Sequence, residues 1–274
     1  MYPELFTLTL PVLGEFTITS FGVMMALAFL SGYAVLRSEL GRLDADRELA
    51  ADMLMGALIG GIVGAKLYYV ILYWDRTVLD PLGMLFARGG LVWYGGLIGG
   101  ILGVSWAVRR RKASIPMAAD AVAPGLALAY AVGRIGCFLV GDDYGRPTDS
   151  WVGIAFPRGV PPTTAANLRR FGAEVDPSIS DGEMLTVHPT QLYEIGLSLI
   201  IFFMLWRLRR HPHAAGWLFA VWLAAAGVER FIIEFFRAKD DRFLAGFTVA
   251  QLISVGMVVA ALVIVRRLRR PATE

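Results

Sequence analysis

Arg134, Arg230 and Glu234 are the residues of this chain best placed to do chemistry, because each is charged and each lies inside an apolar run. An arginine at hydrocarbon depth costs about 2.5 kcal/mol or more, so it marks a functional site unless a structural partner accounts for it. Gly227, Arg230, Glu234 and Arg237 recur at helical spacing and share one stripe. Arg230 and Glu234, four residues apart, pair on that stripe, and the carboxylate aims the guanidinium inward. Arg134 opens the stretch Gly133-Arg134-Ile135-Gly136-Cys137-Phe138-Leu139-Val140-Gly141-Asp142-Asp143-Tyr144-Gly145, which leaves the apolar run through glycines and paired aspartates. Two such arginines with few acids nearby in sequence call for an outside anion, and the planar guanidinium fork suits a phosphate. Cys137 reads as an inert thiol, since nothing adjacent in sequence lowers its pKa. His211 and His213 share a turn, and no cluster has metal-ligand spacing, so neither a metal nor another cofactor is expected.

The elements that position these groups follow from hydropathy. The chain has 274 residues, is 56% hydrophobic and has a mean hydropathy of +0.58, too apolar for a water-soluble domain. Its apolar runs are each long enough to cross a bilayer as a helix. The expectation is an all-α polytopic membrane protein, one membrane domain over 1–274. Its seven transmembrane helices lie near 18–36, 51–73, 90–108, 116–139, 189–206, 214–236 and 247–265. Arg37, Arg42 and Arg47, the run Arg109 to Lys112, Arg207, Arg209 and Arg210, and Arg266, Arg267, Arg269 and Arg270 fall in one set of loops. The opposite set holds fewer (among them Arg76, Arg88, Arg146, Arg237 and Arg242), so the N-terminus is expected outside and the C-terminus in the cytoplasm. The segment 140–187 then forms a small outside cap between helices four and five, with a mobile flap as the alternative. Within it Trp151 to Pro157 alternates briefly like a strand.

This topology brings the polar groups to one level. Arg134 and Arg230 each lie about 10 Å inside the outer ends of their helices, at 1.5 Å per residue. Lys66 lies at similar depth, as a second phosphate contact or snorkelling outward. Tyr94 and the run His188-Pro189-Thr190-Gln191-Leu192-Tyr193-Glu194 open their helices on the same side. An anion arriving there from the outer leaflet is a phospholipid headgroup. Gly56, Gly60, Gly61 and Gly64 in the second span and Gly95, Gly96, Gly99, Gly100 and Gly103 in the third read as close helix packing.

Other features narrow the class. The net charge of +3 and pI near 9.1 come from arginines at helix ends, which suits membrane lipids and not nucleic acid. The single cysteine excludes an internal disulfide, and Met1–Leu5, with Glu4 and no basic residue, is not a cleavable signal peptide. A lipid transporter or scramblase would spread polar residues through the full membrane depth, and no internal repeat supports one. An intramembrane hydrolase needs a nucleophile beside a base, and Ser198 and Ser254 have no histidine at matching depth.

These residues resemble the prolipoprotein diacylglyceryl transferases, whose signature is Gly-Arg-x-Gly-Asn-Phe-x-Asn-x-Glu-x-x-Gly. Gly133, Arg134, Gly136, Phe138 and Gly145 match it, and Asp142 stands for the glutamate. The likeness continues through Gly64 to Tyr69, Gly95 to Gly99, His188 to Glu194, Arg230 to Arg237 and Phe247 to Gln251. Cys137 and Val140 replace the signature asparagines, Tyr94 replaces the family histidine of the His-Gly-Gly turn, and Met25 takes the place of a span-one tyrosine. A divergent lipid-transfer paralogue is the alternative these changes leave open.

The resemblance implies transfer of a diacylglyceryl group from phosphatidylglycerol to the lipobox cysteine of a prolipoprotein signal peptide, forming a thioether and releasing glycerol phosphate. It places the protein in the bacterial cytoplasmic (inner) membrane with the active site facing the outer leaflet. Arg134, Arg230, Glu234 and Tyr94 are then the expected catalytic residues. Arg134, Arg230, Lys66, Asp142, Gly145, Gln191, Tyr193 and Glu194 are the expected contacts to phosphatidylglycerol.

Overall fold

The computed structural model describes residues 1–10, 14–86, 89–239, 242–244 and 246–268. Arg88, Arg269 and Arg270 lie outside the described residues, as does the side chain of Arg242. Five helices are long and apolar enough to cross a membrane: α1 (Ser20–Arg42), α2 (Leu49–Leu72), α6 (Ile115–Val140), α8 (Thr190–Leu208) and α10 (Val249–Leu268). The chain is therefore a multi-pass membrane protein. The other two expected spans are also helical, α5 (Trp93–Arg110) and α9 (Trp217–Glu234). Each is 18 residues long; α5 is less apolar because it ends in Arg109 and Arg110, and α9 is apolar but carries three charges, Glu229, Arg230 and Glu234. Short helices α3 (Trp74–Leu79), α4 (Pro81–Phe86) and α7 (Ala165–Arg170) lie in the connections.

Two small sheets are additions to the expected all-helical plan. The antiparallel strands β1 (Glu4–Leu10) and β2 (Gly14–Thr19) run directly into α1, and β3 (Arg242–Leu244) pairs with β4 (Phe247–Thr248) before α10. Alternation in Leu5-Phe6-Thr7-Leu8-Thr9 and Phe16-Thr17-Ile18-Thr19 is the period-two signal for the first pair.

The chain divides into two compact units, one of Met1–Gly32 with Ala123–Glu274 and one of Tyr33–Val122. In the Tyr33–Val122 unit, α2 and α5 lie backbone against backbone. A Cβ on Gly56 would stand 2.6 Å from the carbonyl oxygen of Gly103, and Gly60 meets Gly99 in the same way. The glycines are thus an association surface of small residues, where packing replaces the missing hydrophobic drive. Leu36, Leu40, Leu49, Met53 and Val108 form that unit's core.

In the other unit, Ala127 of α6, Ile201 and Leu205 of α8 and Leu218 of α9 pack together with Trp217 and Trp222. Between α6 and α8 the chain packs around Tyr144, Phe156, Leu168 and Val187, in one cluster with Ala238 and with Met1 and Phe138 against it. Phe156 and Tyr144 stack with centroids 5.7 Å apart. The expected strand at Trp151 to Pro157 is not one: Trp151 and Val152 form a turn, and only Ile154 makes a bridge, to Val187. The proline-punctuated segment closes on side chains, and two-sided strand pairing never develops.

Candidate active site

The end of α6 is tied to the start of α8 and the end of α9 by main-chain hydrogen bonds. Gly145 N–H donates to His188 O at 2.8 Å, Arg146 N–H to Phe236 O at 2.8 Å, and His188 N–H to Arg146 O at 3.0 Å. A Cβ at Gly145 would lie 2.8 Å from the His188 Cβ, so this crossing requires glycine. Gly145 thus serves backbone approach.

Arg134 is the hub. Its Nη1 donates to Asp143 Oδ2 at 2.6 Å and to Cys137 Sγ at 3.6 Å. Its Nη2 donates to Glu194 Oε1 at 2.7 Å and to the Tyr130 hydroxyl at 3.1 Å, and Nε reaches that hydroxyl at 3.2 Å. Tyr130 in turn donates to Glu194 Oε1 at 2.7 Å. A guanidinium has five N–H donors, and here all five directions have a partner.

Asp143 carries the network onward. It accepts from Arg237 Nη1 at 2.9 Å and pairs with Arg237 Nη2 as well, a two-point contact. Arg237 Nε lies 3.9 Å from Glu234 Oε2, and Arg230 Nη2 lies 2.5 Å from the same oxygen. The last contact is close as an ion pair but misaligned as a hydrogen bond, and Arg230 Nη1 is buried with no hydrogen-bond partner. The sequence Arg134–Asp143–Arg237–Glu234–Arg230 is therefore one alternating ladder of charge. It joins the two expected arginines through Asp143 and Arg237, neither of which was expected in the site.

This corrects the premise that the arginines lack acids. Arg134 has Asp143 and Glu194, and Arg230 has Glu234. The acids were hidden because Glu194 is 60 residues away in sequence and Asp143 faces Arg134 only through a left-handed backbone, φ 56°. Tyr130, one turn before Arg134 on the same helix, was visible in the sequence and passed over.

The remaining expected contacts surround the ladder. Gln191 is fully buried; its Nε2 donates to Asp142 O at 2.5 Å and its Oε1 has no partner. Glu194 Oε2 and Asp142 Oδ1 are likewise buried acceptors without a donor. Tyr193 turns the other way, its hydroxyl 3.1 Å from His188 Nδ1 and its ring 5.6 Å from that of Phe236. Ser198 donates to Glu229 at 2.6 Å, a buried pair apart from the ladder. In the Tyr33–Val122 unit, Lys66 Nζ donates to Gly89 O at 2.8 Å and stands over the Tyr69 ring. Tyr94, in the first turn of α5, is exposed and lies edge-on to Trp93.

Electrostatics outside the spans agree with this layout. Burial raises the Asp142 carboxyl above the ordinary range, partly offset by the Cys137 thiol hydrogen-bonded to it. Burial also acts to raise Asp143, but Arg237 and Arg134 together overcome it and hold that carboxyl at about 2. A carboxylate depressed below its ordinary 3.8 stabilises the fold above that pH and loses its contribution as pH falls through about 2. The shift is worth roughly 2 kcal/mol. Thermal unfolding in detergent is therefore expected to show a loss of stability between pH 4 and about 2 that is absent in Asp143→Asn.

Cys137→Ser is expected to leave turnover nearly unchanged and to cost about 1 kcal/mol or less, because a hydroxyl replaces the thiol as donor to Asp142. Inactivation of a folded Cys137→Ser protein would instead make the thiol part of the reaction.

A family model described as prolipoprotein diacylglyceryl transferase matches residues 8–267. The chain is similar to the phosphatidylglycerol–prolipoprotein diacylglyceryl transferase of Geobacter sulfurreducens, 34% identical over 253 residues that cover 89% of this chain and 88% of the relative. The enzyme of that name in Bordetella avium is 32% identical over 92% of this chain and 90% of its own length. That of Clostridium tetani is 30% identical over 89% and 92%.

Proposed function

The chain belongs to the prolipoprotein diacylglyceryl transferase family, and from that premise we propose which residues do its work. It transfers the diacylglyceryl group from phosphatidylglycerol to prolipoprotein. The acceptor in our reading is the lipobox cysteine of a signal peptide, met at the outer leaflet of the bacterial inner membrane. The thiolate sulfur attacks the sp³ CH₂ carbon of the diacylglyceryl group. A C–S bond forms, the C–O bond to phosphate breaks, and its electron pair leaves on the phosphate oxygen as glycerol phosphate.

Such a displacement needs in-line positioning and stabilisation of charge growing on the phosphate. The single observation that carries the assignment is the charge ladder ending in the buried, unpartnered Nη1 of Arg230. A phosphate that enters the site satisfies that unused donor. It reaches Arg134 by exchanging with Asp143, whose carboxylate stays compensated by Arg237. Glu234 holds Arg230 in place throughout. The orphaned oxygens of Gln191, Glu194 and Asp142 suit hydroxyl donors, as on the free glycerol of the headgroup.

Tyr94 and Lys66 enter on their sequence positions alone, Lys66 as a further cation for the headgroup and Tyr94 as relay for the thiol proton. A free thiol has a pKa near 8.5, so a cationic site and one hydroxyl suffice to draw off its proton. Tyr94→Phe is then expected to slow transfer about a hundredfold, in the range of general acid–base catalysis. An unchanged rate and pH profile would assign the ring to packing.

We further read α5 and α9 as membrane-crossing, which gives seven spans in a single membrane domain with the 140–187 cap outside. The decisive experiment incubates purified protein with labelled phosphatidylglycerol and a lipobox peptide. Thioether-linked label on the cysteine supports the assignment, and absence of product with a folded protein overturns it.

A further inference from the structure

A groove of about 350 Å³ follows the seam between α2 and α5 in the Tyr33–Val122 unit, within the size range of ligand pockets, roughly 300–1,000 Å³. Its floor is Gly56, Gly60 and Gly103, where the helix backbones touch. Its walls are Met55, Ile59 and Trp106, all exposed. Because the floor is backbone against backbone, it carries no side chain of its own. From Asp52 to Gly60 it runs about 12 Å, at 1.5 Å per residue. This is an exposed apolar trough on a helix pair.

Its mouth is charged. Arg110 lines it, with its guanidinium 5.2 Å from the Trp106 ring centroid. Asp52 also lines the groove, but Arg111 holds it at 2.5 Å and Asp46 at 2.9 Å. Arg110 has no carboxylate partner among the described residues. An exposed guanidinium beside an indole, at the helix end where Arg109, Arg110, Arg111 and Lys112 follow one another, matches a phosphate at the membrane interface.

We propose that this groove is a binding site for one anionic phospholipid, its acyl chain lying in the glycine trough and its phosphate on Arg110. The site is separate from the residues assigned to transfer and does not depend on that assignment. A zwitterionic lipid offers the same chains, but its own ammonium competes for the phosphate, so selectivity for net negative charge is the signature.

Quenching of tryptophan fluorescence by brominated acyl chains tests it. The Trp106 component is the difference between the full chain and Trp106→Phe, both in detergent. Dibrominated phosphatidylserine and dibrominated phosphatidylcholine carry the quencher on identical chains, and neither is the donor lipid. The expected result is about fivefold tighter quenching of Trp106 by the anionic lipid. Arg110→Gln should bring the ratio near one and Arg110→Lys should restore most of it, with transferase activity unchanged in both as the check on folding. Equal quenching by the two lipids in the unsubstituted protein, or a ratio that Arg110→Gln leaves intact, overturns the proposal. So does protection of Trp106 from both lipids, which would mean that a second copy or another helix fills the trough.

Discussion

Arg134→Ala is expected to lower diacylglyceryl transfer by about a thousandfold or more, the upper range for removing one charge-stabilising group. The expectation rests on what the guanidinium holds. It fixes Asp143, Glu194 and Tyr130 at once, from α6, the turn after it and α8. Alanine also leaves Glu194, 1% exposed, with Tyr130 as its remaining donor, so lost charge and a slackened site both enter the measured loss. Arg134→Lys separates the two. Lysine keeps the charge but offers three donors on one nitrogen in place of a planar fork of five. Transfer by a folded Arg134→Lys protein should fall about a hundredfold. Near-normal turnover of labelled phosphatidylglycerol in the alanine variant would remove Arg134 from the reaction.

Asp143→Ala is expected to have the largest effect on stability. The residue compensates two arginines, and removing one partner of a buried pair costs about 3–5 kcal/mol because the other charge remains. Here Arg134 would keep only Glu194 and Arg237 only the 3.9 Å contact to Glu234, with side chains only 13% and 18% exposed. Thermal unfolding in detergent should show a clear drop in midpoint. The double variant Asp143→Ala with Arg237→Met should recover part of it, since one under-compensated charge goes too. If the two losses simply add, the aspartate and Arg237 are not coupled and the ladder is not continuous.

The long apolar helices were legible in the sequence, because hydrocarbon length and hydropathy fix them within a few residues. So was the Arg230–Glu234 pair, which is local and set by helical spacing. Arg237 stood on the same stripe, yet hydropathy alone assigned it to a loop. Asp143 was not legible. It neighbours Asp142, which took the family's acidic position, and which of the two faces inward depends on the backbone turning left-handed at one residue. Glu194 was read as a headgroup contact, and its pairing with Arg134 is a long-range fact of packing. The packing of Phe156 against Tyr144 could not be read from a brief alternation around Trp151.

The ladder also has a timetable. A ribosome delivers Arg134 long before Glu194 and Arg237, and of the carboxylates that hold it only Asp143 is close behind. Until α8 emerges, the nascent sixth helix must enter lipid with that one counter-ion, and Asp143 must wait longer still for its second arginine. The chain's most polar knot is thus tied last, after the helices that carry it are already in place. Errors in biogenesis should accordingly concentrate between the synthesis of α6 and α9.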